Sequence, residues 1–186
     1  MKIIDGPLEI FPDLYEDTRG YFYESWNQYK FNKLVGKEIN FVQDNQSMSF
    51  INVIRGLHYQ MDPKPQDKLV KVIKGKVFDV VVDLRKNSKT FGEWAGLEIS
   101  EIKHNQFWIP AGFAHGFMTL SEYAILQYKV TDFWSSECER CLIWNDKNIN
   151  IIWPEFHEKS RGINISDKDA KGISFEEAKN NNFLFT

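Results

Sequence analysis

The sequence predicts a mainly β single domain with short peripheral helices, and three observations support that prediction. Short strand-like runs recur at near-regular spacing from about residue 39 to residue 145, as they do in β-sandwiches and barrels. Turns that contain Gly or Pro separate these runs. Aromatic residues make up 15% of the chain, and aromatic side chains favour pleated sheets. The length of 186 residues suits one domain, spanning 1–186, better than two.

The predicted elements begin with two N-terminal strands and a helix. Residues 8–11 and 21–24 have the composition of strands on either side of a turn at 16–20. Asn27 then caps a predicted short helix that ends near Leu34. Further strand-like runs follow at 41–43, 53–55, 69–73, 76–84, 96–99, 106–109, 116–119 and 124–128. We therefore expect most of the chain to form one β structure.

Lys74-Gly75 joins two of these runs and predicts a hairpin between them. Side chains alternate between the two faces of a strand, so Lys68 shares a face with Val70 and Val72. An ammonium on an apolar face is uncommon without a task. Lys68 is therefore a candidate functional residue rather than an ordinary surface lysine.

The polar tail after residue 154 predicts two short helices. Ser166 with Asp169, and Ser174 with Glu177, have the spacing of a capping box. In that motif the Ser side chain accepts a hydrogen bond from the backbone N–H three residues later. The predicted fold is thus all β with helical additions at its periphery.

Charge and cysteine content argue against several classes of function. The net charge of −3, from 23 basic and 26 acidic residues, does not indicate a nucleic-acid-binding protein. The sequence has no apolar run long enough to predict a membrane helix, so we expect a soluble, cytoplasmic protein. Cys138 and Cys141 lack the second cysteine pair of a usual zinc site, and we interpret them as ordinary thiols of a reducing compartment.

The histidines bear on whether the protein binds a metal. His115 closes a P-x-G-x-x-H turn at 110–115, which is similar to the second signature of cupins. A metal-binding cupin would also place a second histidine where this chain has Gln60. An amide is a poor ligand for a transition metal compared with imidazole. We therefore predict no metal, and interpret His104 and His157, in polar stretches, as structural.

The chain resembles a known family in several blocks that occur in the same order. They are DTRGYFYE at 17–24, FVQDN at 41–45, RGLHYQ at 55–60, DKLVKV at 67–72, WIPAGFAHGF at 108–117, YKVTD at 128–132 and LIWND at 142–146. Together they closely resemble the dTDP-4-dehydrorhamnose 3,5-epimerases from about residue 8 to residue 170. The resemblance implies a homodimeric cupin jelly roll with a dTDP-sugar substrate and no cofactor.

The resemblance also implies roles for individual residues. His58 is the base, Asp169 orients its ring, Tyr128 is the proton donor on the opposite face, and Lys68 lies near the carbonyl oxygen of the sugar. The remaining residues implied to line the substrate site are Arg19, Glu24, Gln43, Asn45, Arg55, His115, Trp134, Glu139 and Lys168. One departure from the family pattern is Asp67, which stands where Gly is frequent.

These residue types match the chemistry. A proton on the carbon beside a ketone is removed by a base with a pKa near neutrality, for which imidazole is suited. Inversion also requires an acid on the opposite face of the sugar, and a phenol can donate that proton. An ammonium at the ketone oxygen stabilises the enolate more than the ketone, which accelerates the reaction.

Several alternatives stay open at this level. Tyr128 is also compatible with a core aromatic, and Asp169 with a simple helix-cap residue. The protein as a whole could epimerise only C3 or C5, act on another nucleotide sugar, or bind sugars without catalysis. A metal-dependent cupin enzyme is the further alternative that Gln60 disfavours.

Overall fold

A computed structural model describes residues 4–156 and 162–186, so His157 lies outside the described residues. The described chain is mainly β, as predicted. Its elements are β1 (Leu8–Ile10), β2 (Leu14–Asp17), β3 (Gly20–Tyr23), α1 (Gln28–Val35), β4 (Gln43–Phe50), β5 (Ile54–Gln60), β6 (Lys68–Lys74), β7 (Lys76–Asp83), β8 (Trp94–Ser100), β9 (Gln106–Ile109), β10 (Phe113–Thr119), β11 (Tyr123–Val130), β12 (Glu139–Cys141), α2 (Asp167–Ala170) and α3 (Phe175–Asn180).

Ten of these strands form two five-stranded antiparallel sheets, in the orders β1-β9-β6-β11-β4 and β12-β5-β10-β7-β8. The main apolar core includes Val70, Val81, Phe107 and Leu126, which come from both sheets. Two sheets that face each other over such a core form the predicted β barrel. Strands β2 and β3 pair separately, as a two-stranded hairpin.

The connection at Lys74-Gly75 corrects one prediction. Strand β6 pairs with β9 and β11, whereas β7 pairs with β8 and β10, so the two strands lie in different sheets and form no hairpin. Gly75 has a φ of 80°, a conformation that glycine adopts without strain. The Gly75 N–H donates to the Glu101 side chain at 2.9 Å. The glycine therefore turns the chain from one sheet to the other.

Strand β7 is buried on both faces, which explains its long apolar run. Val81 faces the core between the sheets, while Val80 and Val82 pack against a second apolar cluster with Phe175 and Leu184 of the C-terminal segment. The C-terminal segment thus covers the outer face of this sheet.

All three predicted helix starts are confirmed. The Asn27 side chain accepts a hydrogen bond from the Lys30 N–H at the start of α1. Ser166 caps α2 in the same way, and Ser174 forms a full capping box at α3. Among the residues that the structure describes, no helix is long and apolar enough to span a membrane.

Candidate active site

A cavity of about 430 Å³ opens in the barrel, among side chains from both sheets. Strands β4, β6 and β11 contribute from one sheet, and β5, β10 and β12 contribute from the other. The residues expected at a substrate site that line this cavity are Gln43, Asn45, Arg55, His58, Lys68, His115, Tyr128, Trp134 and Glu139. The fold therefore brings together residues that lie far apart in the sequence.

His58 and Asp169 form a hydrogen-bonded pair at this cavity. His58 Nε2 lies 2.7 Å from Asp169 Oδ1, and the Gly56 N–H donates to the other oxygen of Asp169 at 3.1 Å. Asp169 is buried, and burial raises the pKa of a carboxyl group. The hydrogen bond and charge of His58, with the Gly56 N–H and Lys168, outweigh burial and lower the pKa of Asp169. An ionised carboxylate therefore holds the imidazole ring, while Ser166 caps the helix that carries it.

Lys68 is buried, as its place among apolar neighbours predicted. Its Nζ donates to the backbone carbonyl oxygen of His58 at 3.3 Å. Burial lowers the pKa of Lys68 to about 8, although the charges of Asp79 and Glu139 act in the opposite direction. The side chain thus brings an ammonium into the cavity. This ammonium is mostly charged at pH 7 and loses its proton near pH 8.

A second histidine–carboxylate pair lies in the same region. His115 is directly opposite His58 across β10 and β5. Its Nε2 lies 2.9 and 3.0 Å from the two carboxylate oxygens of Asp79, and Asp79 is fully buried. Burial raises the pKa of Asp79, while His115 and Lys68 oppose that shift. Sequence reasoning missed Asp79, although a carboxylate within an apolar strand is itself a signal of a buried partner.

Tyr128 enters the cavity from β11, opposite Asn45 of β4 and Val70 of β6. It is partly buried and packs against the main core. Burial raises the pKa of its phenol, Glu139 adds to that effect, and Arg55 opposes it. The phenol therefore keeps its proton at neutral pH, as a proton donor must.

The loop that follows β11 carries Trp134, whose side chain is exposed. Gln60 donates to the carbonyl oxygens of Lys64 and Phe133 at 2.7 and 3.2 Å and accepts from the Ser135 N–H at 2.8 Å. The Trp134 N–H donates to the Gln43 side chain at 3.2 Å. The Gln60 amide, which stands where a metal-binding cupin has a histidine, is thus occupied in holding this loop.

Charged side chains at the cavity also have polar partners in their own chain. Arg55 Nε donates to Ser49 Oγ at 2.9 Å. Lys168 Nζ lies 2.5 Å from a carboxylate oxygen of Glu139, which lines the cavity. Asp67 does not line the cavity, and its carboxylate accepts from the Ala111 N–H at 2.8 Å.

Three expected substrate-binding residues do not line the cavity of their own chain: Lys168 only contacts Glu139 at its edge, and Arg19 and Glu24 lie away from it. Arg19 is in the turn of the β2–β3 hairpin, where its exposed guanidinium contacts Asp17. Glu24 follows the hairpin and lies 2.9 Å from Lys30 Nζ. The structure of one chain does not bring Arg19 or Glu24 to His58.

Cys141 is a neighbour of the histidine–carboxylate pair that the sequence did not reveal. It lies directly opposite His58 across β12 and β5, with its Sγ 3.9 Å from Asp169 Oδ1. Burial raises the pKa of its thiol to about 12, and the charge of Asp169 adds to the shift. The proximity depends on pairing with the short strand β12, which the sequence analysis did not separate from its surroundings.

Known proteins are similar to this chain over almost its whole length. Residues 2–177 match the family model described as dTDP-4-dehydrorhamnose 3,5-epimerase. A protein of that name from Pseudomonas aeruginosa is 50% identical over 167 residues, which are 90% of this chain and 90% of that protein. A 3,5-epimerase from Legionella pneumophila, solved with dTDP-4-keto-L-rhamnose, has a TM-score of 0.87 and 44% identity, covering 93% of this chain and 89% of that chain. A 3′-monoepimerase from Streptomyces bikiniensis, solved with dTDP-quinovose, has a TM-score of 0.89 and 27% identity, covering 98% and 90%.

Proposed function

This chain belongs to the dTDP-4-dehydrorhamnose 3,5-epimerase family, and on that premise we propose that it inverts both C3 and C5 of dTDP-4-dehydro-6-deoxy-D-glucose. The product is dTDP-4-dehydro-L-rhamnose. The observation that carries the proposal is one cavity lined by an imidazole held by a carboxylate, a protonated phenol and a buried ammonium. A binding protein would not need this set of groups, whereas an epimerase needs all three.

The proposed steps use the side chains of the cavity. His58 takes the proton from the carbon beside the ketone, and the electron pair of the broken C–H bond moves onto the ketone oxygen as an enolate. Asp169 stabilises the imidazolium that forms, and Lys68 stabilises the enolate oxygen. Tyr128 then donates a proton to the opposite face of the same carbon. A second round at the other carbon completes the reaction, with proton exchange to solvent restoring both groups.

Other residues in and beside the cavity are proposed to hold the nucleotide. Arg55 and Lys168 supply cations for the diphosphate, for which a guanidinium is well suited. Trp134 has an exposed ring on the loop held by Gln43 and Gln60, and such a ring can stack on thymine. We also propose the cytoplasm as the location, because both cysteines are free thiols.

We further propose that the active unit is a homodimer in which the β2–β3 hairpin of one chain completes the cavity of the other. The hairpin exposes Tyr15, Tyr21 and Phe22, with 64%, 59% and 71% of their surfaces accessible. An isolated two-stranded hairpin is marginally stable in water, and large exposed apolar patches mark interaction surfaces. A second copy of the chain would cover these rings. Its cavity would receive Arg19 from the first copy, where this side chain is exposed.

Incubation with dTDP-4-dehydro-6-deoxy-D-glucose in deuterated water tests the reaction. We expect deuterium at both C3 and C5 of the product, read by NMR. Label at one carbon would instead identify a mono-epimerase, the activity of the Streptomyces bikiniensis relative. No label would leave a sugar-binding protein or another substrate. His58→Ala should abolish the exchange, and Tyr128→Phe should impair inversion more than exchange at the first carbon.

A further inference from the structure

Three potential metal ligands of different chemistry meet beside the cavity. The donor atoms of His58, Cys141 and Asp169 all lie within 4.8 Å of one another. They come from the paired strands β5 and β12 and from the short helix α2. We propose that these three side chains form an inhibitory binding site for a borderline or soft divalent cation, such as Zn²⁺ or Co²⁺.

The donor set suits such a cation. Imidazole nitrogen, thiolate sulfur and carboxylate oxygen are the ligands that Zn²⁺ takes in proteins, at about 2.0–2.3 Å and in tetrahedral geometry. Tetrahedral bonds of that length place donor atoms about 3.5 Å apart. The Asp169 oxygen is 3.9 Å from Cys141 Sγ and 2.7 Å from His58 Nε2, so small shifts of two side chains would suffice. His58 lines the cavity, which leaves the fourth position for water or a ligand.

This site differs from the cupin metal site that the sequence argued against. Gln60 bonds to backbone groups, and His115 bonds to Asp79. The proposed site uses neither residue. It includes the Cys141 thiol, a ligand that Zn²⁺ and Co²⁺ favour and Mg²⁺ does not. Mg²⁺ therefore serves as the control cation.

Occupation would stop acid–base chemistry at His58. On binding, the Cys141 thiol proton leaves to solvent and a bond from sulfur to the cation forms. Nε2 donates its proton to the ionised Asp169 when no cation is bound, so this proton moves through solvent to Nδ1 when Nε2 binds the cation, and the imidazole stays neutral. Neither ring nitrogen then has a free lone pair to accept a substrate proton. This inhibitory half rests on the proposed function, whereas the binding half does not.

Optical titration of the purified full-length protein with Co²⁺ tests the binding half. We expect visible ligand-field bands together with a near-ultraviolet thiolate-to-cobalt band at one equivalent. Cys141→Ala should remove the thiolate band, and Cys138→Ala, the matched control at the other cysteine, should retain it. If Cys141→Ala fails to fold, Cys141→Ser serves the same purpose. A thiolate band that survives in the Cys141 variant, or no band in the wild type, would overturn the proposal.

Zn²⁺ inhibition of deuterium exchange tests the second half. Cys141→Ala should keep the metal-free rate and raise the Zn²⁺ concentration for half-inhibition roughly tenfold or more, the scale of affinity lost when metal sites are disturbed. Mg²⁺ at equal concentrations should not inhibit. Equal Zn²⁺ inhibition of both proteins would point to chelation by the substrate diphosphate and overturn the inhibitory site. If the metal-free wild type shows no exchange, the proposed function fails, and the Co²⁺ spectrum alone decides the binding site.

Discussion

At the scale of single residues, the buried ammonium of Lys68 has a consequence that can be measured. Its pKa is lowered to about 8 by burial, so the side chain is charged below that pH and neutral above it. In the proposed mechanism the charged form stabilises the enolate, and we therefore predict that kcat/KM falls as the pH rises through about 8, by about tenfold per pH unit. Measurement of kcat/KM between about pH 6 and pH 10 checks this.

Lys68→Met separates this effect from other titrations. The variant should lose roughly 10²–10³-fold in kcat, the scale seen when a group that stabilises an oxyanion is removed. It should also lack the decline above about pH 8, because no ammonium remains to lose its proton. An unchanged alkaline decline in the variant would assign the decline to another group.

Asp169 is predicted to act through His58 rather than through the helix that carries it. Asp169→Asn keeps the shape of the side chain but removes the charge that stabilises the imidazolium, so kcat should fall roughly 10²–10⁴-fold. Asp67→Asn is the matched control, since this carboxylate is next to Lys68 in the sequence but bonds to the Ala111 N–H outside the cavity. Steady-state kinetics that show equal losses in both variants would contradict a specific role for Asp169.

At the scale of elements, the sequence predicted the helix starts, because local interactions determine them. The caps at Asn27, Ser166 and Ser174 require only backbone groups three residues away, and all three helix starts are confirmed. The hairpin at Lys74-Gly75 was wrong, because a glycine turn does not determine which sheet receives the next strand. The short strand β12 gave no separate signal, since its pairing with β5 is a tertiary contact.

The loop that carries Trp134 depends on one amide. Gln60 is buried and bonds to three backbone groups of 64, 133 and 135. Gln60→Leu leaves these groups without their partner, which destabilises a protein by about 1–3 kcal/mol. We predict that KM for the dTDP-sugar rises more than kcat falls, because we propose that the loop positions the nucleotide rather than the reacting carbon.

Steady-state kinetics and thermal unfolding of Gln60→Leu check this prediction, with Trp134→Ala as the comparison. Removal of the Trp134 ring should raise KM in the same way without the loss of stability, since the ring is exposed. A kcat that falls while KM stays constant in Gln60→Leu would show that the amide acts on the chemical step instead.

At the scale of the whole molecule, the sequence predicted the barrel, many residues of its cavity and the contact of Asp169 with His58, but not the other partners. The barrel follows from strand spacing, and the cavity residues from the resemblance. Asp79 behind His115 and Cys141 beside Asp169 were missed, because each contact joins strands or helices that only the folded topology brings together. Arg19 differs from these two residues. The resemblance assigned it to the substrate site, but in a single chain it lies outside the cavity.

A shared site in a homodimer predicts that two defective chains can restore activity. Arg19→Ala has an intact cavity and a defective hairpin, and His58→Ala has the reverse. After denaturation and refolding of an equal mixture, half of the dimers combine both chains, and each of these contains one complete site. We expect roughly a quarter of the wild-type activity at low substrate concentration, from one restored site in every four.

The control for this experiment mixes His58→Ala with Tyr128→Phe. Both residues line the cavity of a single chain, so no combination of these two chains contains a complete site, and the mixture should be no more active than its components. Size-exclusion chromatography with light scattering establishes in parallel that the refolded chains are dimers. If the Arg19 mixture also gives only the average of its components, Arg19 does not act across the interface. The exposed rings of Tyr15, Tyr21 and Phe22 would then need another explanation.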